Sequence, residues 1–189
     1  MKRTHKLRNQ RGFSLAETLL AVLILLLVST IVATGMPVAV NVYEKTVLSA
    51  NAQSLLSTTV SALRDELGTA WNVEVEGNTV TYYSADTGNR SKLEIEEAGG
   101  TKKIKLTEYV STDGLNTQPG SKEIERMLIP DATLTRDLDI SYQSVTYSNG
   151  VVVFTNLQVT PKGKSGSVVA KMNSLSIKVV SWQPTVSPE

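Results

Sequence analysis

The first part of the chain is a long apolar stretch with a single acid at its head. No side chain between Glu17 and Glu44 is charged, and Leu, Val, Ile and Ala predominate over residues 18–43. As an α-helix rising ~1.5 Å per residue, this stretch reaches roughly 39 Å, which exceeds the ~30 Å hydrocarbon core of a bilayer. It therefore predicts a membrane-spanning helix.

The next part changes from uniformly apolar to amphipathic. Apolar positions recur every three or four residues, which is the pattern of one face of an α-helix. Gly68 is a typical C-terminal stop, and Gly35 with Pro37 should interrupt the helix within the apolar stretch. We expect one interrupted helix over Phe13–Leu67. Its outer half should pack through the stripe of Leu48, Ala52, Leu55, Leu56, Thr59, Val60, Leu63 and Leu67.

From Trp71 the period becomes two, which is typical of β-strands. Glycine-containing pairs at residues 77–78, 99–100 and 149–150 predict three β-hairpins. In the second hairpin, apolar pairs on one face and opposite charges on the other agree on a single register. The predicted partners are Val75–Val80 in the first hairpin, Leu93–Leu106, Ile95–Ile104, Glu94–Lys105 and Glu96–Lys103 in the second, and Tyr147–Val152 and Val145–Phe154 in the third.

Four further features complete the pattern. The alternation slips near Gln143 and Ser144, which predicts a β-bulge. Residues 110–125 are polar and contain Gly and Pro, which favours a surface loop, and residues 121–128 predict a short helix that ends before Pro130. A last strand should carry Leu175, Ile177 and Val179, followed by Val180 and Trp182.

Together these elements predict an α+β fold, in which a long N-terminal helix, transmembrane and then amphipathic, packs on an antiparallel β-sheet. The expected divisions are a basic N-terminal segment, an apolar helix, its amphipathic continuation and a β-rich globular domain outside the cytoplasm. Their boundaries are 1–12, 13–43, 44–68 and 69–189.

Composition excludes several classes of catalytic and metal-binding site. The chain has no Cys and a single His, His5. Disulfides, thiol nucleophiles and Cys-ligated metals are therefore excluded, and the body of the protein lacks the imidazole that Ser-His and Cys-His systems need. No cofactor or metal is expected, and the chain is not expected to be an enzyme.

Charge is distributed unequally along the chain. Residues 1–12 carry five Lys or Arg and no acid, whereas the rest holds 14 basic and 18 acidic side chains. The basic end predicts a cytoplasmic N-terminus with the bulk of the chain outside. No nucleic-acid partner is expected of an acidic outer domain; DNA binding would need a local basic patch, for which Lys162, Lys164 and Lys171 are the candidates.

A cleaved secretory signal is an alternative interpretation of the N-terminus, with cleavage near Ala33-Thr34-Gly35. Two features count against it. The apolar run continues past that point to Val42, and Glu17 lies at its head, where signal peptides normally have no acid.

Residues 10–20 read Gln-Arg-Gly-Phe-Ser-Leu-Ala-Glu-Thr-Leu-Leu and closely resemble the class III signal of type IV pilins and type II secretion pseudopilins. In both, a short basic leader ends in Gly, Phe follows, and Glu opens an apolar helix four residues later. The resemblance implies that a prepilin peptidase cuts between Gly12 and Phe13 and methylates the new amino group of Phe13. It also implies that Glu17 pairs with the N-terminal amine of a neighbouring subunit and sets the axial register between helices.

The resemblance implies a structural role: a minor pilin or pseudopilin of a type IV pilus or type II secretion-like filament. Residues 1–12 would be the leader, and the precursor would lie in the cell membrane before it joins a cell-surface or periplasmic filament. The implied partners are prepilin peptidase, other subunits, membrane lipid and, indirectly, an assembly platform protein and its ATPase. In this family the usual proline lies a few residues before the position of Pro37. The behaviour of the family implies that the helix melts locally in this region on assembly. The competing interpretation is a single-pass anchored enzyme or binding domain.

Four other patterns have a functional and a structural interpretation. Asp131, Asp137 and Asp139 are candidate calcium ligands, but their spacing does not fit an EF-hand and we interpret them as surface acids. The Gly-Lys-Ser at residues 163–165 lacks the glycine that a phosphate loop needs five residues earlier, so a loop between strands is expected. Asn89-Arg90-Ser91 is a formal glycosylation sequon that we interpret as a turn. The core, rather than a ligand platform, should contain Tyr82, Tyr83, Tyr142, Tyr147, Phe154 and Trp182.

Overall fold

The computed structural model describes residues 14–110, 122–129, 137–163 and 167–180. The chain divides into two units, Met1–Thr46 and Val47–Glu189, and one helix, α1 (Leu15–Gly68), contributes to both. The predicted α+β class is confirmed, because this helix is followed by antiparallel β-strands.

In the first unit, Ser14 caps the start of α1. The Ser14 hydroxyl accepts a hydrogen bond from the Ala16 N–H at 3.3 Å, and the Ser14 carbonyl accepts from the Glu17 and Thr18 N–H groups at 2.9 and 3.1 Å. Ser followed by Glu three positions later is the sequence pattern of a capping box. Phe13, at which the helix was predicted to begin, lies outside the described residues.

The helix is continuous through Gly35 and Pro37, so the predicted interruption is wrong for this structure. Pro37 has no N–H and leaves the Ala33 carbonyl without its helical donor. Continuous turns on both sides hold the remaining backbone in the helical conformation.

In the second unit, α1 buries the predicted stripe. Six of its members are buried, and the remaining two, Leu48 and Leu56, are half-buried against the same core. The one polar member, Thr59, donates its hydroxyl hydrogen to the Leu55 carbonyl at 2.8 Å, which satisfies the group inside the helix. The helix ends at Gly68, as the sequence predicts.

A five-stranded antiparallel sheet follows the helix. Its strands are β1 (Trp71–Glu76), β2 (Thr79–Tyr83), β3 (Arg90–Ala98), β4 (Thr101–Val110) and β5 (Lys122–Met127), adjacent in that order. The predicted register is confirmed at Val75–Val80 in the first hairpin. It is also confirmed at all four predicted pairs of the second hairpin. The Lys105 ammonium lies 3.8 Å from Glu94, 3.6 Å from Glu96 and 2.9 Å from Glu125, and its hydrogen bond to Glu125 raises the pKa of Lys105.

Strand β5 corrects two predictions. Residues 122–127 were expected to lie in a surface loop and a short helix, but they pair with β4 from Lys105–Met127 to Val110–Lys122. Lys, Glu, Arg and Met are good helix formers, which explains the predicted helix. The open edge of β4 supplies backbone partners that outweigh this preference. Residues 111–121 lie outside the described residues.

The second sheet is built around β8 (Val151–Pro161), the longest of the described strands. On one side β8 pairs with β6 (Leu138–Ser141) and β7 (Ser144–Ser148) in succession, and on the other with β9 (Ala170–Lys178). The third hairpin has its predicted register, and Asn149 and Gly150 turn with positive φ angles of 52° and 74°. Where a bulge was expected, two separate strands meet, and Asn156 opposite the break also has a positive φ of 53°.

A hydrogen bond in the core of the second unit links α1 to the first sheet. The Tyr82 ring is fully buried, and its hydroxyl donates to Glu66 Oε1 at 2.8 Å. Arg126 Nη2, from β5, lies 3.7 Å from Glu66 Oε2. Burial and the neighbouring Glu66 carboxylate raise the pKa of Tyr82, which keeps the hydroxyl protonated as a donor.

Asp139 is a buried acid with an incomplete set of partners. The residue is 5% exposed, and its Oδ1 has no hydrogen-bond partner among the described residues. The backbone N–H of Lys102 donates to this carboxylate, and Lys162, Lys103 and Lys102 favour its charge. Burial outweighs these interactions and raises the pKa of Asp139 above its ordinary value of 3.8.

Replacing Tyr82 by Phe should lower the free energy of unfolding by about 1–2 kcal/mol, because the Glu66 carboxylate loses its buried donor while the ring remains. Urea unfolding of the full chain in detergent, followed by circular dichroism, measures the change. The matched control is Tyr83→Phe, since Tyr83 is half-buried and its hydroxyl has no partner among the described residues. Equal losses in the two variants would contradict the role of the Glu66 bond.

Replacing Asp139 by Asn should raise stability at pH 7 by on the order of 1 kcal/mol, because an amide costs less to bury than a carboxylate. The folded-state pKa of Asp139 is raised, so the wild-type protein gains stability as pH falls through that pKa towards 3.8. The advantage of the Asn variant should therefore shrink between pH 7 and pH 4. Thermal unfolding across this pH range tests it, with Asp137→Asn, at an exposed acid nearby, as the control. If the stability difference between the Asn variant and the wild-type protein did not change with pH, the proposed effect of burial on the pKa of Asp139 would be contradicted.

Candidate functional site

The N-terminal part of α1 presents an apolar surface that nothing in the described chain covers. Every described side chain from Ser14 to Val47 is exposed. Residues 19–28 contain no polar side chain, so the surface is apolar on all sides of the helix rather than along one stripe. This helix is long and apolar enough to cross a membrane. Such a surface is consistent with an environment of lipid or of other apolar helices.

Several Ser and Thr hydroxyls within this surface are satisfied by the helix itself. Ser29 donates its hydroxyl hydrogen to the Leu25 carbonyl at 2.8 Å, Thr30 to Leu27 at 2.8 Å and Thr34 to Thr30 at 2.9 Å. A hydroxyl bonded in this way needs no water. The surface therefore suits a medium that offers no hydrogen bonds.

Glu17 is the one acid among residues 14–43, and it lies in the first turn of α1. Its backbone N–H is satisfied by Ser14. Its carboxylate, in contrast, has no hydrogen-bond or ion-pair partner among the described residues. The helix dipole favours an acid at this end, but by less than a hydrogen-bonded cation would. Gly12 and Phe13 lie outside the described residues, so their predicted roles stay predictions.

The other candidate residues do not converge on a site. Among the described residues no group of His, Asp and Glu could hold a metal ion. Asp137 is exposed, Asp139 is buried in the second sheet, and Asp131 lies outside the described residues. Lys162 and Gly163 follow β8, with a φ of 70° at Gly163 that suits a turn, whereas residues 164–166 lie outside the described part of the chain.

The sequon and the aromatic residues have structural positions. The Asn89 amide donates to Glu108 Oε1 at 2.8 Å, and the two groups are partly buried. Burial by itself raises the pKa of Glu108, but the hydrogen bonds from Asn89 and Thr87 and the charge of Arg126 together lower it below its ordinary value.

Of the six aromatic candidates, three are buried, two are half-buried and Trp182 is not described. The buried ones are Tyr82, Tyr142 and Phe154, and the half-buried ones are Tyr83 and Tyr147.

A stacked aromatic pair that was not predicted lies at the edge of the first sheet. The rings of Trp71 and Tyr83 stack with centroids 4.3 Å apart and planes at 19°. They are cross-strand partners, and a break in register between Trp71 and Glu74 precedes the regular pairing. The positive φ of 49° at Asn72 accompanies this break, and no sequence signal places it.

Comparison with known proteins identifies the motif at the N-terminus. The family model of the prokaryotic N-terminal methylation motif matches residues 7–33. The matched segment contains the Gly12-Phe13 junction, Glu17 and the first half of the apolar surface. No curated protein and no solved structure matches the chain. The match and the long N-terminal helix together support the identification of this chain as a type IV pilin-like prepilin.

Proposed function

We propose that the chain is a minor pilin or pseudopilin, a structural subunit of a type IV pilus or a type II secretion-like filament. The observation that carries this proposal is the uncovered apolar surface of α1 within the methylation motif. Bundled apolar helices would form the filament core, and the β-rich unit would supply its outer surface. The motif favours such a structural subunit over an enzyme.

Processing would convert the membrane-stored precursor into the assembling form. Prepilin peptidase would cut between Gly12 and Phe13 on the cytoplasmic side and methylate the Phe13 amine. Removal of residues 1–12 deletes five positive charges and no negative ones. The leader holds the N-terminus in the cytoplasm while present, and its loss brings a new amine within four residues of Glu17.

In the filament, Glu17 would pair with the Phe13 amine of a neighbouring subunit. A carboxylate and an ammonium are each costly to isolate in an apolar core, and pairing offsets much of that cost. The pair forms only when two helices have one axial offset, so it fixes their register. The partnerless carboxylate at the head of α1 supports this role.

Lipid and other subunits would be alternative partners of one surface. Before assembly, lipid would cover the apolar helix, with the N-terminus cytoplasmic. After assembly in a surface or periplasmic filament, neighbouring helices would replace lipid. The assembly platform protein and its ATPase would act indirectly, by driving this exchange.

Mass spectrometry of the membrane-extracted protein should find a mature chain that begins at Phe13 and carries one N-terminal methyl group. A strain without prepilin peptidase is the control and should yield a chain with residues 1–12. An intact leader in the wild-type strain, or cleavage near Gly35, would contradict the pilin proposal and favour an anchored domain or a secreted protein, respectively.

Replacing Glu17 by Gln should leave cleavage and membrane insertion largely unchanged but reduce incorporation into filaments at least tenfold, because the amide cannot neutralise the neighbouring amine. Quantitative immunoblots of sheared filaments and membranes measure the ratio. Glu44→Gln is the matched control, since Glu44 is an exposed acid of the same helix beyond the apolar stretch. Normal incorporation of the Glu17 variant would exclude a register role for the carboxylate.

A further inference from the structure

The second unit contains a polar cleft of ≈ 580 Å³ where its two sheets meet. One wall comes from the β1–β2 turn and the tip of the β3–β4 hairpin, and the other from β6, β8 and β9. This volume lies within the ~300–1,000 Å³ typical of small-molecule sites. The proposed assembly role does not use the cleft.

Three strands place a polar row along the cleft. Ser141 in β6 pairs with Gln158 in β8, and Gln158 pairs in turn with Lys171 in β9. Directly paired residues of neighbouring strands share one face of a sheet. A hydroxyl, an amide and an ammonium group therefore lie side by side, and all three residues line the cleft.

Hydrogen bonds hold the two walls of the cleft together. The Tyr142 hydroxyl donates to the Asn78 carbonyl at 2.7 Å, and the Asn78 amide donates to the Gln143 carbonyl at 3.1 Å. The Asn156 amide donates to Gln143 Oε1. These bonds link the β1–β2 turn to the break between β6 and β7. The cleft is thus preformed, which lowers the entropy cost of binding a ligand.

The charges of the cleft leave one cation without a partner. Glu97 lies 3.5 Å from the Lys102 ammonium, and Glu94 lies 2.6 Å from the Lys92 ammonium. Lys171 is exposed and has no ion pair or hydrogen bond among the described residues. Among the charged residues that line the cleft, Lys171 is therefore the one whose charge is available to an anionic ligand.

The lining favours a ligand rich in hydroxyl groups. Side-chain amides and hydroxyls both donate and accept hydrogen bonds, as sugar hydroxyls do. Tyr142 offers no ring for stacking, because it is 3% exposed and packs edge-on against Phe154 at 5.1 Å. Recognition must therefore rest on hydrogen bonds and on the charge of Lys171.

We propose that this cleft binds a carboxylated oligosaccharide. The ligand carboxylate accepts hydrogen bonds from the Lys171 ammonium, and sugar hydroxyls bond to Ser141, Gln158 and Asn156. Because Lys171 is exposed and no ring stacks on the sugar, binding is weak and is weakened further by salt. Such a site gives the outer domain a contact with acidic glycans that is independent of the N-terminal helix.

Ligand-observed saturation-transfer NMR on the full chain in lipid nanodiscs tests the proposal. The probes are trigalacturonate, a hyaluronan tetrasaccharide and sialyllactose, with chitotriose as the neutral comparison and an acidic tripeptide as the non-sugar comparison. At least one carboxylated sugar should give transfer that decreases in high salt, and chitotriose should give much less. Transfer to none of the carboxylated sugars, equal transfer to chitotriose, or transfer to the peptide alone would overturn the proposal.

Two variants locate the binding. Lys171→Gln should raise the dissociation constant roughly tenfold, the effect of losing one charge-assisted hydrogen bond. Lys178→Gln is the matched control, because Lys178 is an exposed lysine of the same strand that does not line the cleft. An unchanged constant in the Lys171 variant, or equal losses in both variants, would place the binding elsewhere and overturn the assignment.

Discussion

The apolar N-terminal part of α1, within residues 14–43, depends on one constraint: a helix that is apolar on every side cannot remain in water. Residues 19–28 contain no polar side chain. The hydroxyls that follow bond to carbonyls of their own helix, and the only acid lies in the first turn. The apolar side chains and the internally bonded hydroxyls need no hydrogen bonds from water, and the one charged group lies at the end of the segment. A bilayer and a bundle of like helices both satisfy this constraint, so one sequence suits storage in a membrane and packing in a filament.

The same helix changes its mode of burial beyond Val47. In the second unit it buries a single stripe against the sheets, and polar residues on its other faces are exposed. Apolar burial supplies most of the stabilisation there. Glu66 adds specificity, because its carboxylate accepts from Tyr82 in β2 while it faces Arg126 in β5. A shift of the helix along the sheet would separate these groups.

Features set by neighbouring residues were predictable from the sequence, and features set by distant ones were not. The three hairpins have their predicted registers because the predicted cross-strand pairs lie close in sequence, at most 13 residues apart for Leu93 and Leu106, with the turn residues between them. The methylation motif is equally local. Strand β5 was predicted as a loop and a helix because its partner β4 lies across an intervening segment. The row of Ser141, Gln158 and Lys171 depends on β8 pairing on both sides, which no local pattern shows.

Asp139 and, in the proposed filament, Glu17 are two carboxylates whose charge is costly to remove from water. The two cases differ in what offsets this cost. Around Asp139 the chain itself supplies a backbone N–H and nearby lysines, and the raised pKa shows that burial still dominates. That acid can reduce its cost by binding a proton, and the fold does not change. In the proposed filament, Glu17 would instead face the amine of a neighbouring subunit, and each charge would offset the cost of the other. The proposed pair would form at one axial offset between neighbouring helices, which is how it would set their register. Under the proposed function, an acid at the head of an apolar stretch that is otherwise uncharged over residues 18–43 is better explained by a partner molecule than by the stability of its own chain.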